Sequence, residues 1–413
     1  MKTSDNKINL RLLGIGSIVL ISSFVSRAQE AAENVGKSNG SYDVAAYVWP
    51  SCHDEEMSRG KLWGEGIGEW EIIKKGNPRF EGHYQPRIPL WGYKMDDDPK
   101  AWEQKIEAAT SHGINTFIFD WYWYDGKPFL EEAINEGFLG ATNNGKANFY
   151  IMWANHDVPG NMWNHYRYKT DSLIWRGEVD WENYKIVVER IIRQYFKKAN
   201  YFKINGKPVF SIFSTTDLIN SFNGISETRK ALDYFREEVK KAGFPGLHIQ
   251  LIGWGKDGNP YFGRTTHLKG MGVNDIISAL DINSVTTYNW TGSGINEDYI
   301  RWGENAMSLQ TRWDSALTIP YFPNVSVGWD NTPRYPKLGK ESVVHYHNTP
   351  ESFAAYLQRA KEYADNHPGQ PRLVIINAWN EWVEGSYLEP DMLNGYGYLE
   401  AVKKIFKENL SEY

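Results

Sequence analysis

Cysteine is nearly absent: Cys52 is the one copy in 413 residues. An internal disulfide framework is therefore excluded, and stability has to come from a packed core. Basic charge is not in excess either. With 45 Lys plus Arg against 51 Asp plus Glu the formal net charge is -6, which argues against a nucleic-acid backbone as partner. Long apolar runs are scarce, and the most continuous one, 12–24, is shorter than the ~20 residues a membrane span requires. A short-period repeat is missing, which removes solenoids and propellers. So is a glycine-rich phosphate loop of Walker or Rossmann type.

What the chain has in quantity is aromatic rings. Tryptophan occurs 18 times, as often as phenylalanine, beside 25 tyrosines. A core can be built from Leu and Val, so flat rings with a polar edge in this number point to a further use.

The N-terminus reads as a leader. Lys2, Lys7 and Arg11 precede the apolar run, and Ser26-Arg27-Ala28 places small residues where a signal peptide is cut. A signal peptide over 1–28 and export to the periplasm or beyond are the expectation, with no membrane span after cleavage. Cleavage would remove four of the 45 basic and one of the 51 acidic residues, leaving 41 against 50 and a charge of -9. The small, polar segment 29–41 reads as a flexible tether, and 42–413 as a single domain.

Within that domain, apolar runs rich in β-branched and aromatic residues recur at 42–49, 115–124, 147–155, 208–216, 247–255, 282–290, 318–327 and 372–379. Segments of helical spacing fall between or after them at 99–112, 181–200, 227–241, 296–315, 350–366 and 392–408. Strands apolar on both faces, alternating with amphipathic helices, predict parallel βα units. Eight of them predict an α/β fold of the (β/α)8 TIM-barrel type with elaborated loops.

Barrel enzymes build their sites at the C-terminal strand ends, and the residues there form a pattern. The ends carry Trp49; Asp120, Trp121 and Trp123; Trp153 and Asn155; Tyr288 and Trp290; Trp329 and Asp330; and Asn380, Glu381, Trp382 and Glu384. A sugar ring has an apolar face and a rim of hydroxyls, so its pocket needs aromatic platforms beside acids and amides. Glu381 and Glu384 are the catalytic candidates, because glycosidic cleavage needs one group to protonate the leaving oxygen and another as nucleophile or base. Two carboxylates three apart diverge on an extended strand, and converge only if the chain turns between them. Trp379 and Trp382 would desolvate one of them and raise its pKa.

Several motifs in order carry a resemblance: Trp63-Gly64-Glu65-Gly66-Ile67-Gly68-Glu69-Trp70; Gly82-His83-Tyr84-Gln85-Pro86-Arg87 with Pro89-Leu90 and Asp98-Pro99; Trp153-Ala154-Asn155; Gly328-Trp329-Asp330-Asn331-Thr332-Pro333-Arg334; and Asn377-Ala378-Trp379-Asn380-Glu381-Trp382 through Glu384-Gly385 to Tyr387-Leu388-Glu389-Pro390. The chain resembles the glycoside hydrolase family 99-like proteins, also called the WbsX family. The resemblance implies a (β/α)8 barrel related to the family 99 endo-α-mannosidases. It also implies catalytic carboxylates at Glu381 and Glu384. The first would be a base on the sugar's own 2-hydroxyl, forming an anhydro-sugar intermediate, and the second an acid and then a base. His83, by its motif, is a sugar contact, with Tyr84 beside it, and Asp330 and Arg334 hold each other or a sugar hydroxyl. Relatives often continue Trp-Ala-Asn with Glu-Asn-Trp, where this chain has His156, Asp157 and Val158. That departure bears on mannose specificity.

The function expected is an exported retaining hydrolase of an α-linked oligosaccharide or polysaccharide, needing no cofactor. Two alternatives stand beside it. A glycosyltransferase of polysaccharide biosynthesis could use the Asp-x-Asp spacing in Asp96-Asp97-Asp98 to hold a divalent ion, although Asp98 before Pro99 also reads as a helix N-cap. A non-catalytic barrel that only binds carbohydrate is the other. No metal site is expected, since His345 and His347 have no acid or Cys at a fixed spacing to complete one.

Overall fold

Eight parallel strand positions follow one another around a nearly closed barrel: β1 (Asp43–Val48), β2 (Thr116–Tyr124), β3 (Asn148–Trp153), β4 (Lys207–Ile212), β5 (His248–Lys256), β6 (Ser284–Thr287), β7 in two pieces (Tyr321–Phe322 and Asn324–Ser326) and β8 (Leu373–Asn377). This is a computed structural model; it describes residues 41–407 apart from 171, 295 and 341. The leader expected over 1–28, and all but the last residue of the tether expected over 29–41, lie outside the described residues.

Neighbouring strands pair in parallel all the way round, β8 to β1 included. The first piece of β7 pairs with β6 and the second with β8. Pro323 separates the two, because it has no N–H to extend the ladder; its carbonyl accepts the Ile375 N–H at 2.9 Å.

Helices alternate with these strands: α1 (Pro99–Ser111), α2 (Trp181–Ile191), α3 (Ile225–Lys241), α4 (Val273–Leu280), α5 (Tyr299–Ala316), α6 (Pro350–Asn366) and α7 (Gly397–Phe406). Local chemistry sets their ends. Asp98 caps α1 by accepting the Lys100 N–H at 2.8 Å, and Pro99 occupies the first turn, where a missing N–H costs nothing. Thr349 caps α6 by accepting from Ser352 N at 3.2 Å. The last helix starts at Gly397 and not at 392, because the Asp391 carboxylate accepts the Leu393 and Asn394 N–H groups and holds that stretch in a turn. α4 has no counterpart in the sequence reading; at eight residues its periodicity is too short to register.

β1, β2 and β8 are buried on both faces apart from Asp43 at the rim, as parallel strands wrapped by helices must be. Tryptophan serves this core more than any rim. Ten of the 18 indoles, among them Trp102, Trp121, Trp153, Trp302, Trp313, Trp379 and Trp382, are fully buried. At roughly 25 cal/mol per Å² and 150–250 Å² per ring, each contributes on the order of 4–6 kcal/mol before ordering entropy is subtracted.

Candidate active site

The chain leaves β8 and folds back at once. Asn380–Glu381 (β9) pairs antiparallel with Ser386–Tyr387 (β10), and Trp382–Glu384 between them form a single 3₁₀ turn. In 3₁₀ geometry residues three apart eclipse, so Glu381 and Glu384 come to one side. Gly385 closes the turn at φ 63°, and a Cβ there would meet the Asp330 Cβ at 2.9 Å. Conformation and space both demand glycine at this position.

The hairpin is held from several directions. The Asn380 amide bonds both backbone groups of Trp49, accepting from N and donating to O at 2.9 Å each. Trp382 stacks on Tyr387 with ring centres 3.8 Å apart and donates its indole N–H to Glu389 Oε2 at 2.7 Å. Glu389 is in turn paired with Lys105 of α1 at 2.9 Å.

Glu381 and Glu384 are both buried, yet line a cleft of about 610 Å³. Each has its own partner set. Tyr288 Oη lies 2.7 Å from Glu381 Oε1 and 2.8 Å from Asp120 Oδ2. Glu384 is ion-paired with Arg334, whose other nitrogen is 3.7 Å from Glu69. Glu69, fully buried, accepts from the Trp49 indole and from Ser51 Oγ at 2.8 Å. Among the described residues, Asp120 Oδ1 and Glu381 Oε2 have no hydrogen-bond partner.

Burial is the largest influence on all these acids and pushes each one up. At Glu381 the neighbouring Glu384 carboxylate adds to it and Arg334 opposes it. Arg334 offsets part of the rise at Glu384. Asp120 is raised well above the usual range by burial, with Tyr288 opposing and Glu384 adding, and its charge in turn pushes Glu381 up.

A hydroxyl has one hydrogen. Tyr288 can donate to only one of its two carboxyl neighbours, so the other must carry a proton and donate to Oη. Two orders satisfy this. One runs Asp120 to Tyr288 to Glu381 and leaves Glu381 ionised; the other runs from Glu381 through Tyr288 and leaves Asp120 ionised.

Of the rim residues expected from sequence, the cleft gathers Trp49, Asp120, Tyr288, Trp329, Arg334, Glu381 and Glu384. The others lie elsewhere. Trp121 and Trp123 stand on the opposite face of β2 from Asp120 and Tyr122, because side chains alternate along a strand. They stack on each other and donate to Glu131 and Asn183. Trp153 packs outward on Tyr184 of α2, and Trp290 on Trp302 of α5. Asn155 braces the β4 end by bonding Ser214 N and O at 2.8 Å each.

Asn380 and Trp382 anchor the hairpin as described. His83 and Asp330 are bonded to each other at 2.9 Å, and Asp330 also holds Gln85, Arg87 and Thr332. Tyr84 lies against the Arg87 guanidinium, 5.7 Å from it. Arg334 pairs with Glu384 and Glu69 and not with Asp330. His345 is stacked on Trp302 and His347 pairs with Asp298, so the two do not converge.

The sequence reading left out of its site further cleft residues: Trp163, Phe213 and Trp254 as aromatic walls, and Tyr122, Asp157 and Asp217 among the polar ones. Tyr122 was within reach, as the residue two after Asp120 on the same face. Glu69 was visible only as part of a motif.

Three comparisons bear on this site and fold. Residues 44–402 match the family model described as Glycosyltransferase WbsX. A curated relative, the uncharacterized protein WxcX of Xanthomonas campestris pv. campestris, is 25% identical over 350 residues, which cover 83% of this chain and 46% of the relative. The chain thus spans about half the length of the curated relatives it matches.

Among solved structures, a glycoside hydrolase-like protein superposes with a TM-score of 0.55 at 16% identity, over 90% of this chain and 95% of the other. The GH99 endo-alpha-mannosidase from Bacteroides thetaiotaomicron in complex with BIS-TRIS-propane does so at 0.53 and 14%, over 88% and 95%. At these identities the likeness speaks to the fold, a glycoside hydrolase-like barrel. The family match runs from β1 into α7, and the chain therefore belongs to the WbsX family.

Proposed function

We propose that residues 42–413 form the catalytic domain of an exported, retaining glycoside hydrolase that cleaves an α-linked glycan, with Glu381 as base and Glu384 as acid and then base. The observation that carries this reading is the pair of buried glutamates, turned to one side by the 3₁₀ turn and given different partners in a cleft walled by Trp49, Trp163, Trp254 and Trp329. A cleft of this size takes a small oligosaccharide. Export rests on the basic, apolar and small-residue order of 1–28.

In this reading Glu381, kept ionised by the proton on Asp120, takes the proton of the sugar 2-hydroxyl, and that oxygen attacks the anomeric carbon. Glu384, raised by burial, gives its proton to the leaving oxygen. Water then opens the anhydro-sugar, losing its proton to Glu384, while Glu381 returns its proton to the 2-oxygen. Two inversions give net retention, by a substrate-assisted route.

The test is a panel of α-linked glycans with the first-formed anomer read by NMR. Release of an α product is expected. Release of a β product, or binding across the panel with no reducing ends formed, would overturn the reading.

A transferase is the second reading, favoured by the description the family carries. Against it, acids line the cleft, and Arg334 is already paired with Glu384, so this guanidinium is not free to hold a sugar diphosphate. Asp96 and Asp98 are also occupied: Asp96 pairs with Lys105 at 2.6 Å and accepts from Cys52 N, and Asp98 caps α1. Purified protein given nucleotide sugars and a divalent ion should show no transfer.

The proton order gives a separate prediction. Asp120→Asn should keep activity within about tenfold of the parent, because the amide N–H donates to Tyr288 as the protonated acid does. Asp120→Ala should lose about a hundredfold. Equal losses in the two variants, measured as kcat, would sink the idea that Asp120 stores a proton.

A further inference from the structure

Away from the cleft, the loop leaving β1 meets the turn that precedes residues 133–138. His53 has no exposed surface, and among the described residues neither of its ring nitrogens has a hydrogen-bond partner. Its Nε2 lies 3.6 Å from Glu132 Oε2, beyond hydrogen-bond length, and that oxygen is also without a partner. Glu55 completes the group. Its two oxygens accept from Met57 N at 3.0 Å and Leu130 N at 3.2 Å, which fixes the carboxylate in place. One donor atom from each of His53, Glu55 and Glu132 lies within 4.8 Å of the others.

An imidazole buried with both nitrogens unmatched is costly unless something joins them. One neutral imidazole and two carboxylates supply a charge of -2, matching a divalent ion. Imidazole favours zinc or manganese over magnesium and calcium, which take oxygen ligands. Bonds of about 2.0–2.2 Å require the donors to close in slightly. The Glu132 side chain, 46% exposed, is free to swing inward and leaves a face open to water.

We propose that His53, Glu55 and Glu132 bind one divalent transition-metal ion of the zinc or manganese class, joining the loop after β1 to the 130–132 turn. The loop carries Trp49 and Ser51, which hold Glu69 beneath Arg334. The ion is thus a brace for the cleft wall and takes no part in bond cleavage.

The test uses the folded chain stripped with a chelator and titrated calorimetrically with zinc or manganese. A single equivalent should bind with a Kd on the order of micromolar, and saturation should raise Tm by roughly 3–6 °C. Glu132→Gln, a change at a half-exposed residue that leaves the fold intact, should weaken binding more than about tenfold, as should His53→Ala. Cobalt at the site should give a visible absorption band that both variants lose. Less than about a tenth of an equivalent bound, or undiminished binding in Glu132→Gln with His53→Ala folded and equally competent, would overturn the proposal.

Discussion

Glu384→Gln and Glu381→Gln are each expected to lower turnover of an unactivated α-glycan by at least about a thousandfold, at the upper part of the range for a lost general acid or base. Gln keeps the shape and burial of either site but can neither give nor take the proton. The fold should persist, because each change removes one member of a crowded set of acids that burial already pushes toward the neutral form. Arg334 keeps Glu69 as a partner in Glu384→Gln, so no buried cation is stranded.

The two variants should then part company on an aryl glycoside with a good leaving group. That substrate needs no acid to depart, so Glu384→Gln should recover much of its first-step rate. Glu381→Gln should not, since the 2-hydroxyl still has to lose its proton. Activity near that of the parent in either variant removes that residue from the mechanism, and rescue of Glu381→Gln in place of Glu384→Gln exchanges the two roles.

Much of the barrel is legible in the sequence because a buried parallel strand is apolar on both faces and stands out as a run. All eight runs coincide with strand positions to within a few residues. Side-chain direction is another matter. In Asp120-Trp121-Tyr122-Trp123, every residue is buried, so composition alone cannot say which pair faces the cleft. The acid and the tyrosine do; the two indoles pack behind them.

The same ambiguity misassigns Trp153, Trp290 and Trp382, which are core. Trp163 and Trp254 escaped notice for the opposite reason. Trp163 ends a short helix, Gly160–Trp163, between β3 and α2, and Trp254 lies near the end of β5, outside the set of acid-flanked strand ends, and only the fold brings them to the cleft. The convergence of Glu381 and Glu384 depends on a 3₁₀ turn, for which Gly385 was the one local sign.

Asp330→Ala should produce the largest loss of stability, about 3–5 kcal/mol, in the range for stripping one partner from a buried ion pair. Asp330 has no exposed surface and accepts from Gln85 at 2.7 Å, His83 at 2.9 Å, Arg87 at 3.3 Å, and Thr332 N and Oγ1 at 3.1 and 2.6 Å. Burial alone would push its carboxyl up; His83, Arg87 and Thr332 outweigh that and hold it well below the usual range. A carboxylate depressed in the folded state contributes stability that is fully present above its unfolded pKa of about 4 and is lost as pH falls through the folded value. A denaturant titration at pH 7 therefore reads the whole contribution.

Asp330→Asn should recover part of it, keeping the volume and some hydrogen bonds but leaving Arg87, itself buried, without its carboxylate. The consequence for activity differs from that of the glutamates. Asp330 N donates to the Glu384 carbonyl at 2.6 Å, and its Cβ sits against Gly385, so the loop bearing Trp329 and Arg334 rests on the 380–387 hairpin through this residue as well as through the Arg334–Glu384 pair. Loosening it should broaden the positions of Arg334 and Glu384 together, lowering kcat in proportion to the folded population and little further at low temperature. A loss below about 1 kcal/mol would mean that Arg87 and His83 find other partners, and that the loop is held from elsewhere.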